Sequence, residues 1–285
     1  MKGVIVTADD FGAAIEINEA VEAAHRDGIL TAASLMVTGM AAADAVARAK
    51  RLPALRVGLH LVLVEGTPAL PPAEIPDLVD AGGLFRSDMA SMGVDMFFRP
   101  AVRRQLTAEI AAQFEAFRAT GLRLDHVNAH KHFHLHPTVA GRIIAIGRRF
   151  GMSAARVPAE PAAILRRIEP GSRAVQPMLL APVTGLLQAR FAMAGLLVPR
   201  QVFGLTWSGA MTESRLAGVL RHLPAGLSEI YLHPAVSNDF PGAAPGYGYA
   251  QELAALMAPS VLAALQETGA ARGGFGDFKA AEFGA

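Results

Sequence analysis

From Gly3 to Val64 the chain alternates two kinds of segment, and the alternation narrows its fold to a parallel α/β architecture. Gly3–Thr7 is a short β-branched run of buried-strand type. Helical spacing follows: Ile15, Asn18, Val21 and His25, with Ala20 and Ala24, make one stripe that Gly28 ends. Thr31–Val37 is a second apolar run, Ala41–Leu52 an alanine-rich helix, and Arg56–Val64 a third strand carrying one polar side chain, His60. Strand, helix, strand, helix, strand is the pattern of a parallel sheet or barrel.

The same rhythm continues downstream. Val102–Thr120 is an amphipathic helix on Leu106, Ile110, Phe114 and Phe117, stopped by Gly121. Leu122–Ala129 is the next strand, Pro137 opens a helix running to about Phe150, and Ala154–Pro158 is a short strand. Gln201–Trp207, Ser228–His233 and Ala271–Phe275 complete the strand-like runs, with helices near Thr212–Leu223 and Tyr249–Thr268. Seven or eight strands predict an irregular (β/α) barrel, with an open doubly wound sheet as the second architecture. The 285 residues show no repeat or linker and read as one domain. Two insertions, about 65–100 and 160–200, pass over the C-terminal ends of the strands.

Hydrophobic residues make up 52% of the chain and its mean hydropathy is +0.33, an apolar excess that must be placed somewhere. Met178–Val198 takes part of it, with Arg190 its one charge. Twenty such residues approach a bilayer's width, but Pro182, Gly185, Gly195 and Arg190 count against a span. The segment is expected to be a buried helical hairpin, or else an exposed apolar lid making peripheral membrane contact. A net charge of +1 with interspersed signs argues against nucleic acid. The absence of cysteine removes disulfides and thiolate chemistry. No leader pattern follows Met1-Lys2-Gly3, so the expected location is cytoplasmic, at the periphery of the inner membrane if 178–198 meets lipid.

Chemistry concentrates at strand ends, where parallel α/β folds assemble their sites. The run V-I-V-T-A-D-D-F-G stops its strand at two carboxylates, Asp9 and Asp10. Five of the nine histidines lie in D-H-V-N-A-H-K-H-F-H-L-H-P. In extended backbone His126, Asn128, His130, His132, His134 and His136 would share one face. That run exceeds the reach of one ion, and the turn at the strand's end favours His130 or His132 as a ligand. With Asp10 and His60 this makes an open site of one carboxylate and two imidazoles, suited to zinc first, and to Co, Mn, Ni or Mg. Asp9 is then placed to take a proton from attacking water, and His233 to protonate an amine leaving group. Arg156, ending another strand, is expected to hold a polar group of the substrate or to form a surface ion pair.

T-A-D-D-F-G, G-L-H-L, N-A-H-K-H-F-H-L-H-P and the closing L-H-P, in this order, resemble the YdjC-like (chitooligosaccharide deacetylase) family over nearly the whole chain. The resemblance implies an irregular barrel that removes acetyl groups from N-acetylated sugars with one divalent metal. It implies Asp9 as base, Asp10, His60 and His130 as ligands, and His233 as acid. With His130 as the ligand, His132 is expected, like Arg156, to bind substrate. The chain departs from the family at Asn128, where an aspartate is usual. Within the family it is most similar to the hopanoid-biosynthesis-associated branch, which implies an N-acetylglucosaminyl hopanoid lipid as substrate. The rival classes are a soluble chitooligosaccharide-type deacetylase, a metal-dependent phosphoesterase or amidohydrolase, and a lipid-binding protein with a relict site.

Overall fold

A computed structural model describes residues 1–172 and 181–281. Its elements run β1 (Lys2–Phe11), α1 (Ile15–Asp27), β2 (Ala32–Leu35), α2 (Ala42–Arg51), β3 (Arg56–Leu61), α3 (Met89–Phe98), α4 (Pro100–Ala119), β4 (Val127–Ala129) and α5 (Pro137–Gly147). They continue α6 (Ala162–Ile168), α7 (Ala181–Met193), β5 (Gln201–Phe203), α8 (Glu213–Arg221), β6 (Gly226–Leu232), α9 (Tyr249–Met257), α10 (Pro259–Thr268), β7 (Ala271–Arg272) and α11 (Phe275–Ala280).

All strand pairs are parallel, in the order β4-β3-β2-β1-β6-β5, with β7 on the lower half of the β1 edge that β2 occupies above. The two edges of the curled sheet meet through residues 154–159. Ala155 bridges Val127 of β4, and the Val202 N–H of β5 donates to the Ala159 carbonyl at 3.1 Å. The (β/α) barrel expectation holds, and the predicted 154–158 strand contributes single bridges rather than a strand.

Other boundaries differ from the sequence pattern: β5 ends at Phe203 rather than Trp207, and β7 ends at Arg272, with Phe275 opening α11. β1 does not stop at the acids but runs through them, because Asp10 takes a left-handed φ of +60° at a register shift between Ala8 and Phe11. β4 is only three residues long, since the chain turns at His130. The predicted Tyr249–Thr268 helix is two helices, because Pro259 cannot donate to the preceding turn and begins α10 instead. Met178–Leu180 lie outside the described residues. The rest of the predicted hairpin holds one helix, α7, which buries Leu187 and Phe191 and exposes Val183, Leu186 and Met193. Among the described residues no helix is long and apolar enough to cross a membrane.

Strand alternation sorts the barrel into layers. Val4, Val6 and Ala8 face the surrounding helices, whereas Ile5, Thr7 and Asp9 face inward. At the N-terminal end of the strands Ile5, Ala32, Ala154 and Leu227 pack on Phe275 and Phe278, so α11 plugs that end with apolar bulk. Above this plug the interior turns polar: Glu229, Arg156, Ser34, His126 and Asn128 are all fully buried. Gly58 makes room for the His126 ring, which a Cβ there would meet at 2.5 Å. A barrel interior with this much buried charge needs every group partnered, and the partners define the site.

Candidate active site

At the C-terminal end of the strands a cavity of about 540 Å³ is lined by Asp9, Asp10, His60, His130, His132 and His233, among others. Adjacent residues of a regular strand point to opposite faces, and the irregularity at Asp10 is what lets both aspartates reach one cavity. Gly12 turns the chain away at a φ of +94°, and its N–H is held at 2.8 Å by Oδ1 of Asn18, the polar member of the α1 stripe. A second hollow, about 560 Å³, lies at the opposite strand ends, where Arg56 and Asp277 pair, and no histidine lines it.

Asp10, His60 and His130 converge as expected. Nε2 of His60 and Nδ1 of His130 each lie 3.2 Å from the same oxygen, Oδ1 of Asp10, and the three ligand atoms fall within 4.8 Å of one another. Among the described residues this is the one such cluster of His, Asp and Glu. The choice between His130 and His132 follows from the turn. Lys131 and His132 both have left-handed φ values, +51° and +55°, so the histidines after Ala129 leave the strand and do not share a face. His132 swings across to Tyr231, its Nε2 2.9 Å from the hydroxyl. Burial holds it well below the usual histidine range, so it stays neutral.

The residues behind the ligands fit a cation. Oδ1 of Asn128 accepts from Nδ1 of His60 at 2.7 Å, which puts the proton on that nitrogen and leaves the Nε2 lone pair facing Asp10. The orientation of the amide is fixed from its other end, where Nδ2 donates to Oδ1 of Asp9 at 3.1 Å and to Oγ of Ser34 at 2.9 Å. Ser34 in turn contacts Nε2 of His126 at 3.0 Å, and Nδ1 of His126 contacts Asp125 at 3.0 Å. An aspartate at 128 would still accept from His60 but would have nothing to donate to Asp9. A neutral amide therefore serves both neighbours.

Arg156 is not where the sequence placed it. Expected at the substrate or on the surface, it is fully buried and spends its guanidinium inside the barrel. Nη1 and Nη2 donate to the two oxygens of Asp9 at 2.5 and 3.0 Å, and Nε and Nη2 donate to Oε1 of Glu229 at 3.0 and 2.6 Å. Its charge also lies 4.4 Å over the Tyr231 ring. Burial alone would raise the Asp9 carboxyl, but the charge of Arg156, with its hydrogen bonds to both oxygens, outweighs it and holds the group well below the usual carboxylate range. Asp9 is thus a fixed anion next to the ligand cluster. Glu229 was invisible to sequence reasoning, because a glutamate in a strand reads as a solvent-facing residue.

His233 sits just beyond β6, on the cavity wall. Its backbone N–H is held by Glu252, its Nδ1 has no partner, and its ring lies 5.7 Å from Tyr231 and 5.4 Å from Tyr247. The three tyrosines of the chain, Tyr231, Tyr247 and Tyr249, all line this cavity, a clustering that no local motif announces.

His134 lies deeper. Burial, reinforced by the charge of Arg156, pushes it down to about 3. An unfolded histidine titrates near 6.5, so the stabilisation is complete above that pH and drains away as pH falls from 6.5 toward 3. By this group alone stability falls by about 2 kcal/mol between pH 7 and pH 5. His134→Phe is expected to remove that part of the slope, as measured by urea unfolding at the two pH values; an unchanged slope would refute the assignment.

The YdjC-like protein family matches residues 3–267. A carbohydrate deacetylase of Geobacillus stearothermophilus is 31% identical over 272 residues, 93% of both chains. One from Brevibacillus brevis is 37% identical over 147 residues, 52% of this chain and 56% of that one, so the match spans little more than half of that relative. A solved structure from Enterococcus faecalis V583, described for cellobiose-phosphate cleavage, superposes with a TM-score of 0.75 at 22% identity, covering 97% of this chain and 98% of that one, a likeness of fold.

Proposed function

The chain belongs to the YdjC-like protein family, and from that membership and the geometry of its site we propose that it is a metal-dependent carbohydrate N-deacetylase. The observation that carries the proposal is the convergence of Asp10, His60 and His130 beside a buried anion, Asp9. The curated relatives named as carbohydrate deacetylases support the same chemistry.

A divalent cation held by Asp10, His60 and His130 would supply Lewis acidity to the reacting water and the amide carbonyl. The residues of the chain do the rest. Asp9 accepts the proton of the attacking water. Arg156 keeps it ionised, so it is always available to take that proton. The carbon–nitrogen bond breaks to give acetate and an amine, and we assign protonation of the leaving nitrogen to His233, which lines the same cavity. Tyr231, Tyr247 and Tyr249 present an aromatic wall suited to the apolar face of a sugar ring. Among the described residues no comparable set of basic side chains lines the cavity for a phosphate ester. Lys131 is there, but it is paired with Glu65.

Incubation with an N-acetylglucosamine-bearing substrate is expected to produce a product lighter by one acetyl group in the mass spectrum. Chelator is expected to abolish that loss and added zinc to restore it; turnover that chelation leaves intact would defeat the proposal.

The finer proposal is that the sugar is carried on a hopanoid lipid. It draws support from the family resemblance and from the apolar residues that α7 turns to solvent, Val183, Leu186 and Met193. Leu187 is buried, so Leu186→Asp alone is the informative change. It is expected to impair turnover of the lipid-linked sugar at least fivefold and to spare a short soluble one; equal losses on both would reject the lipid.

A further inference from the structure

The first insertion carries a helix built the wrong way round for a globular surface. α3 buries Met92 and Met96 but turns Val94, Phe97 and Phe98 to solvent, at 58%, 49% and 70% exposure. Three large apolar side chains turned outward within about one helical turn have the composition of a contact surface. Two residues beyond Phe98 begins α4, whose first turns carry Arg103 and Arg104 with no acid before Glu109. Arg142 of α5 joins them, and with Pro100 the three arginines line one open hollow of about 750 Å³. None of the three forms an ion pair with any described residue, whereas Arg99 beside them is tied to Asp77 and Asp95.

We propose that this face, exposed Phe97 and Phe98 next to unpaired Arg103, Arg104 and Arg142, docks the protein on an anionic phospholipid bilayer. The two chemistries divide the occupant between them. Unpaired guanidinium groups fork onto phosphate oxygens, and phenyl rings enter the boundary between headgroups and acyl chains. A soluble phosphate would leave the rings exposed, and so would a nucleic acid lying along the arginines. The start of α4 adds the positive end of its dipole to the same spot.

The placement connects the surface to the catalytic cavity. α5 packs against α3, α4 and α7. Its entrance residue His136 lies against Phe97, with ring centroids 6.2 Å apart, and directly follows the turn bearing His130 and His132. α7 also reaches the start of α5, where Nη1 of Arg190 donates to the Pro137 carbonyl at 2.9 Å. Docking through α3 and α4 therefore sets the rim of the cavity near the bilayer. The surface does not depend on the reaction, and its test is independent of turnover.

The test is sedimentation of the full chain with vesicles of phosphatidylcholine alone and with vesicles that also contain phosphatidylglycerol. Binding is expected only to the second, weakening as salt rises. At about 1 kcal/mol per surface arginine, reversing two charges in R103E/R104E should weaken partitioning by more than tenfold. F97S/F98S is expected to weaken it at least fivefold with the arginines intact. Both variants alter exposed or half-exposed side chains, and an unchanged melting temperature and unchanged acetate release from a soluble substrate check their folds. Inorganic phosphate at the same ionic strength as sodium chloride should displace no more protein than the chloride does. No binding to the anionic vesicles would overturn the proposal. So would binding indifferent to the phenylalanines, which marks a merely electrostatic site, or displacement by phosphate beyond the salt effect, which marks a soluble anion site.

Discussion

Asp9→Asn is expected to lower turnover of an N-acetylated sugar by about 10²–10⁴-fold, the range by which a positioned base usually contributes. The reason lies in what the substitution keeps. Asparagine has nearly the volume of aspartate, so the cavity wall is preserved, and Asp10, His60 and His130 still converge within 4.8 Å. Metal affinity should change little, apart from the loss of one negative charge close by. What disappears is a buried carboxylate that lines the cavity beside the cluster without belonging to it. Measuring acetate release at saturating metal, alongside metal affinity by chelator competition, separates the two roles. Turnover within a few-fold of native would mean that another group takes the proton. A parallel collapse of metal affinity would mean that Asp9 acts as a ligand.

How far the sequence leads is clear from these same residues. His60, Asp10 and the His130 turn are polar groups in strands otherwise built of valine, leucine and alanine, and such exceptions are legible because strand periodicity is local. The barrel is legible for the same reason. Three features are not. Strand ends depend on tertiary pairing: β1 extends through both aspartates because β2 and β6 hold it, and β4 is cut to three residues because two residues after it adopt left-handed backbone. The burial of Arg156 depends on residues 73 and 147 positions away, Glu229 and Asp9, so its sequence neighbourhood gives no sign that it lies in the interior. The outward face of α3 was also hidden, because its stretch reads only as part of an insertion over the strand ends, with neither a helix nor its facing resolved. Asn128, noticed as a departure from the family pattern, acquires its meaning only when Asp9 and His60 are seen on its two ends.

Arg156→Met should be the most destabilising single change in the barrel. Methionine fills much of the space, so the cavity left behind is small. The electrostatic loss is not: Asp9 and Glu229 keep their buried positions without the cation that both of them grip. Breaking a buried ion pair by removing one partner costs about 3–5 kcal/mol, because the charge left behind has lost its solvent as well as its counterion. Against a domain stability of about 5–15 kcal/mol this is a large fraction, and a fall of about 10 °C in melting temperature is expected. The pH dependence distinguishes this account from simple loss of packing. In the native protein Asp9 is held below its unfolded value, so its contribution is present above about pH 4 and is lost as pH falls through the depressed folded value. Without Arg156 the main force against burial is gone, only weaker ones such as the Asn128 hydrogen bond remain, and the balance moves toward the protonated acid. The deficit of the variant should therefore be widest at pH 7 and narrow toward pH 5. Adding Glu229→Gln should recover part of it by removing one stranded charge. A deficit that stays constant with pH, or a double variant no more stable than the single, would show that Arg156 serves as filler and that something else keeps Asp9 ionised.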